Sequence, residues 1–182
     1  MTPRRPRALF IGRFQPPHTG HLVALERIAA ETQALIVAIG SAQYSHSQEN
    51  PFTAGERLAM LDAMLQDAGV RATFVPLFDM HRNTIWVSHV RSQVPPFDVV
   101  YTNNPLPARL FREAGFEVRG FPLHERERYA ATAIRARIAE DDGWESLVPK
   151  PVAALIRAFD GPARMRDLRG SDDPIHGKTW VP

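Results

Sequence analysis

Five short runs of β-branched and aliphatic residues alternate along this chain with longer stretches whose apolar residues recur three and four apart. The runs are Ala8 to Ile11, Leu35 to Ile39, Thr73 to Pro76, Val99 to Tyr101 and Glu117 to Gly120. The helical patterns cover Gly20 to Glu31, Thr53 to Gln66, Thr84 to Ser92, Leu106 to Ala114, Thr132 to Glu140 and Val152 to Phe159. Such alternation builds βαβ units, and units joined by right-handed crossovers give an α/β fold: a doubly wound, Rossmann-like parallel sheet of about five strands flanked by helices. All five runs read as buried central strands. Thr53 followed by Glu56 is a capping-box signature, and Pro105 after Asn104 and Pro151 before Val152 suit helix beginnings. With 182 residues and no internal repeat, one domain over residues 1–168 is expected. A tail over 169–182, rich in Gly, Ser, Asp and Pro, is expected to be flexible or used in subunit contacts.

Composition excludes several classes of function. There are no cysteines, so neither a disulfide framework nor a Cys-ligated metal site can form. The net charge is only +2, which does not imply a nucleic-acid polymer as partner. The longest apolar runs, such as Ala34 to Gly40, fall far short of the roughly 18 residues that a membrane span needs. The basic start at Arg4 to Arg7 lacks the apolar stretch of a signal peptide, so a cytoplasmic protein is expected.

Ligands of doubly wound sheets sit beyond the carboxyl ends of the strands, so the first strand-to-helix loop matters most. It reads Gly12-Arg13-Phe14-Gln15-Pro16-Pro17-His18-Thr19-Gly20-His21 and leads into the stripe Leu22, Leu25 and Ile28. His18 and His21 fall in one helical turn at a helix N-terminus, beside unpaired backbone N–H groups and the positive end of the dipole, which suits phosphate. Gly12 lets backbone approach a ligand closely, Gly20 permits tight packing, and Arg13 adds a fixed charge. No Gly-Lys-Ser/Thr follows, so this is not a Walker A loop, and no G-x-G-x-x-G is present. Two histidines so spaced could bind zinc, but no third ligand lies near them in sequence.

A strand followed by G-R-F-Q-P-x-H-x-G-H resembles the HxGH nucleotidyltransferase superfamily. The resemblance places Gly12, Arg13, Phe14, His18 and His21 against ATP. The next loop, Gly40-Ser41-Ala42-Gln43-Tyr44-Ser45-His46-Ser47, followed by Asn50-Pro51-Phe52-Thr53-Ala54-Gly55-Glu56-Arg57, is similar to archaeal-type nicotinamide mononucleotide (NMN) adenylyltransferases. Members usually carry Arg or Lys where this chain has Glu49. Read from the residues alone, Glu56 and Arg57 are a helix cap and a surface ion pair.

In Phe78-Asp79-Met80-His81-Arg82-Asn83-Thr84-Ile85-Trp86 the resemblance gives Asn83 and Trp86 the nicotinamide, the indole stacking on the cationic ring, with Asp79 and Ser41 also on the NMN side. Trp86 could instead be the first core residue of its helix, and His81 and His89 read as surface residues. The segment Arg128-Tyr129-Ala130-Ala131-Thr132-Ala133-Ile134-Arg135 is similar to the family's R-Y-S-G-T-x-[IV]-R, with Ala130-Ala131 in place of Ser-Gly. By that likeness Tyr129, Thr132 and Arg135 join the ATP contacts, and Thr132 caps its helix. Asn104 is expected near the adenosine or as a helix cap.

The resemblance implies transfer of the AMP part of ATP onto NMN, giving NAD and pyrophosphate, by in-line attack on the α-phosphorus. Arg13, His18, His21 and Arg135 would offset phosphate charge, with Mg²⁺ arriving bound to ATP. No metal site built by the protein alone is expected. The resemblance also suggests a homo-oligomer such as a hexamer. Alternatives are another phosphorylated acceptor, such as FMN or phosphopantetheine, and a catalytically silent nucleotide sensor.

Overall fold

A computed structural model describes residues 5–169. Five strands, β1 (Arg7–Gly12), β2 (Ala34–Ile39), β3 (Thr73–Pro76), β4 (Val99–Tyr101) and β5 (Glu117–Arg119), form one parallel sheet in the order β3-β2-β1-β4-β5. The helices are α1 (Thr19–Glu31), α2 (Ala54–Asp67), α3 (Asn83–Gln93), α4 (Pro105–Glu113), α5 (Ala131–Glu140), α6 (Lys150–Ala158) and α7 (Gly161–Asp167). The direction of winding reverses at β1, which pairs with β2 on one side and β4 on the other. Loops leaving the carboxyl ends of β1 and β4 therefore diverge and open a crevice.

Alternation along β1 splits the interior into two layers. Ala8 and Phe10 point to a core shared with α1, α2, α5, α6 and α7, while Leu9 joins α3 and α4 through Val90 and Phe111. The expectation of five buried central strands holds for β1, β2 and β4 only. β3 and β5 are edges and are partly exposed, because no further strand pairs with them. Residues 144–147 form a 3-10 turn that buries Trp144, whose indole N–H donates to Asp141 at 2.9 Å. This turn and α7 are absent from the periodicity reading because both are shorter than two apolar repeats. α7 is fixed by Arg164, which makes a bidentate pair with Glu56 at 2.7 and 2.9 Å. Glu56 also completes the capping box, accepting from the backbone N–H of Thr53 at 2.9 Å. Of the expected tail, only Arg169 lies within the described residues.

Arg57 is not part of a surface ion pair. Its side chain is fully buried and donates to the carbonyls of Arg13 at 2.8 Å, Gly40 at 2.8 Å, Ser41 at 3.0 Å and Thr53 at 3.2 Å. One planar fork thus ties the loops after β1 and β2 to the start of α2. Replacing it with Met keeps the stem but leaves buried carbonyls unpaired, so Arg57→Met is expected to lose about 3 kcal/mol or more in chemical denaturation. A loss below about 1 kcal/mol would show that the loops hold their shape without it.

Candidate active site

The first loop turns tightly at its glycines. A Cβ on Gly12 would stand 2.8 Å from the ring of Phe14, and one on Gly20 would stand 3.2 Å from both the His18 ring and Tyr129 Cβ. Phe14 has a positive φ of 52° and its ring is buried beneath Gly12 and against His21, with centroids 4.8 Å apart. It supports the loop from below, so only its backbone is available to a ligand. His18 is the N-cap of α1, and its Nδ1 accepts from the His21 backbone N–H at 3.3 Å. That bond leaves the His18 proton on Nε2. The two imidazoles lie 3.7 Å apart, Tyr129 stacks on His18 at 6.0 Å, and His124 stacks on Tyr129 at 5.6 Å.

Desolvation keeps both histidines neutral near pH 7. Desolvation pushes His18 down to about 4, and desolvation together with the neighbouring His18 holds His21 well below its usual value. Nδ1 of His21 is buried with no hydrogen-bond partner. The permanent positive charge comes from two arginines. Arg135 donates to the carbonyl of Gln15 at 3.0 Å and to Thr132 Oγ1 at 3.5 Å. Arg13 lies 3.4 Å from the Glu49 carboxylate. The Arg135 guanidinium is lowered from its usual value, first by desolvation and then by Arg13, with Glu49 acting in the opposite sense. Thr132 does not cap α5: the N-cap is Ala130, without a side-chain bond, and Thr132 sits within the first turn. An Ala at the cap leaves the first N–H groups of α5 without a side-chain acceptor.

Around the end of β1 these groups line neighbouring hollows. One, of about 330 Å³, is walled by Phe10, His18, His21, Phe121, His124 and Tyr129. A crevice of about 350 Å³ lies between Gly12, Arg13, Ser41, Asp79, Trp86 and Asn104. It continues into a hollow of about 380 Å³ that shares Asp79, Trp86 and Asn104 and adds Asn83. Ser41, at a φ of 53°, donates to Asp79 through both its N–H at 3.2 Å and its hydroxyl at 2.7 Å. The Gln43 amide brackets the backbone of Asp79, its Oε1 accepting from the N–H at 2.9 Å. Trp86 rests on Phe111 edge-on at 5.4 Å, so it is partly a core residue and partly a wall of the crevice. Asn104 caps α4 through Leu106 N–H at 3.2 Å, one of the two roles expected of it, and also lines the crevice.

A family model described as cytidylyltransferase-like matches residues 9–137. The nicotinamide-nucleotide adenylyltransferase of Methanosarcina mazei is 53% identical over 166 residues, covering 91% of this chain and 96% of that protein. That of Archaeoglobus fulgidus is 49% identical over 172 residues, covering 91% and 99%. The chain belongs to the nicotinamide-nucleotide adenylyltransferases. The same architecture occurs in a bifunctional NMN adenylyltransferase/ADP ribose pyrophosphatase from Francisella tularensis, complexed with AMP and a manganese ion. There the TM-score is 0.76 at 24% identity, over 90% of this chain and 52% of the other.

Against this family background, the candidate residues fall into two sets: His18, His21 and Tyr129 at the first hollow, and Ser41, Asp79, Asn83, Trp86 and Asn104 at the crevice and its extension. Arg13 borders the crevice, and Thr132 and Arg135 line a further hollow of about 350 Å³ beside Glu49. Sequence reasoning missed Gln15, whose buried amide donates to Phe52 O at 2.8 Å and accepts from Phe52 N–H at 3.0 Å, fixing the second loop to the first. Its place among prolines inside the motif was the available signal. Among the described residues, no three His, Asp or Glu side chains converge to hold a metal ion, and no helix is long and apolar enough to cross a membrane.

The depressed His18 has a consequence for stability. The unfolded chain takes up a proton near the usual 6.5, whereas the folded chain resists until about 4, so stability is fully present above 6.5 and falls as pH drops through that window. Its contribution amounts to up to about 3 kcal/mol by pH 4. In denaturation curves across this range, His18→Gln should flatten the pH dependence. An unaltered slope would mean that His18 takes up its proton as readily in the folded chain as in the unfolded one.

Proposed function

We propose that this adenylyltransferase holds ATP and NMN on the two sides of the β1 tip and joins them there. The observation that carries this reading is the meeting, at one strand end, of an aromatic hollow bearing two neutral histidines and a crevice bearing Trp86 and Asp79. The flat adenine suits the hollow among Phe10, Phe121 and Tyr129, and the nicotinamide suits the crevice, with its cationic ring on Trp86 and its carboxamide within reach of Asn83 and Asp79. Between them lie Gly12, His18, His21, Arg13 and the start of α5, where phosphates would gather.

A phosphate oxygen of NMN attacks the α-phosphorus of ATP in line, a new P–O bond forms, and the bond to the β-phosphate breaks to release pyrophosphate. The attacking oxygen is already ionised near neutral pH, so no general base is required. The protein's work is alignment and charge stabilisation. His18 offers its Nε2 proton, Arg13 and Arg135 offer fixed charge, and the free N–H groups of α5 supply a dipole end. Because the histidines start neutral, each can donate a hydrogen bond that strengthens as negative charge grows on the leaving group. Mg²⁺ supplies further neutralisation when it arrives with ATP. Such an ion usually keeps several waters and would be held chiefly by the phosphates.

Pyrophosphate release with ATP, Mg²⁺ and, separately, NMN, FMN and phosphopantetheine tests the proposal. NAD formed with NMN is the expected result, and turnover confined to FMN or phosphopantetheine would overturn the crevice assignment. His21→Ala should lower kcat by about 10²-fold or more while KM moves by less than about tenfold. Trp86→Ala should raise the KM for NMN by tenfold or more and leave that for ATP little changed. A Trp86 variant that weakens both substrates equally would instead mark the indole as a core residue.

A further inference from the structure

A carboxylate stands among the groups proposed to hold phosphate. Glu49 lies 3.4 Å from Arg13 and shares the hollow of Thr132 and Arg135, and its side chain is 76% exposed. Among the described residues its side chain makes no hydrogen bond to backbone that would fix the second loop, a task that Gln15 performs through Phe52. Arg13 and Arg135 act on each other as like charges, and Glu49 lies close enough to Arg135 to oppose that effect. Bound polyphosphate would find the nearer guanidinium already engaged and would meet the repulsion of a second anion.

We propose that Glu49 is a positioning residue that occupies Arg13 in place of substrate phosphate and must be displaced when polyphosphate binds. It holds two like charges together in the free protein, and it lowers the affinity of the site for pyrophosphate and the ATP tail. Such a carboxylate would favour release of the pyrophosphate product. Both partners are exposed and the pair is long, so its influence is that of a surface ion pair, a factor of about two to five, diminishing as salt screens it.

The inference rests on the phosphate site described above, and one experiment separates the two. Calorimetric titration with inorganic pyrophosphate, with and without Mg²⁺, is made on the wild-type chain, Glu49→Gln, Arg13→Ala and the double variant. Glu49→Gln should bind pyrophosphate about two- to fivefold more tightly at low salt, with the gain shrinking at high salt and vanishing in the Arg13→Ala background. In turnover, the KM for ATP should fall by a similar factor, with kcat following it by less. Equal or weaker binding by Glu49→Gln would overturn the proposal, as would a gain that persists without Arg13. Loss of Mg²⁺-dependent binding in Glu49→Gln would overturn it in favour of a carboxylate that holds the cation. Absence of pyrophosphate binding in every variant would remove the phosphate site itself.

Discussion

The guanidinium of Arg57 is the element on which the rest of the site depends. A charged group with no exposure to water is tolerable only if its donors find acceptors, and here they find four carbonyls from three segments. Three of these carbonyls belong to residues that leave the ends of β1 and β2. The relative position of Arg13 and Ser41, one beside the phosphate region and the other in the crevice, is thus set by a side chain that touches neither hollow. Its guanidinium is lowered to about 10, mainly by desolvation, and so remains charged near neutral pH. Asp79, fastened to Ser41, lies near enough to favour that charge.

The stacked histidines express a second constraint. Placing two imidazoles 3.7 Å apart against Phe14 and Tyr129 desolvates much of both rings, and the absence of a standing charge follows from that. A neutral pair avoids the repulsion that two imidazolium rings at this distance would suffer. Fixed charge is left to Arg13, which is exposed, and to the partly buried Arg135.

Much of this was legible in the chain itself. The alternation of strands and helices, the capping box at Thr53 and the cap at Asn104 are local features that depend on neighbours within a few residues, and each occurs where the pattern indicates. The two histidines at the start of α1 were equally visible. What the chain could not show was the outcome of burial. Arg57 reads as a surface charge because nothing within its helix reveals four carbonyls converging from elsewhere. The neutrality of His18 and His21 depends on Tyr129, more than a hundred residues away, and on Phe14 folding back beneath its own loop. Thr132 fails as a cap because α5 begins one residue earlier, at Ala131, and α7 is too short to print a period. The edge character of β3 and β5 follows from strand order, which the length and composition of a strand do not encode.

The account centres on two ligand sides joined over the tip of β1. A crystal structure of the chain with NAD bound tests it most directly. The account predicts the adenine among Phe10, Phe121 and Tyr129, the diphosphate within hydrogen-bond distance of His18 and the start of α5, and the nicotinamide ring on Trp86 beside Asp79. A nicotinamide seated in the histidine-lined hollow, or a diphosphate bound away from the first loop, would contradict it.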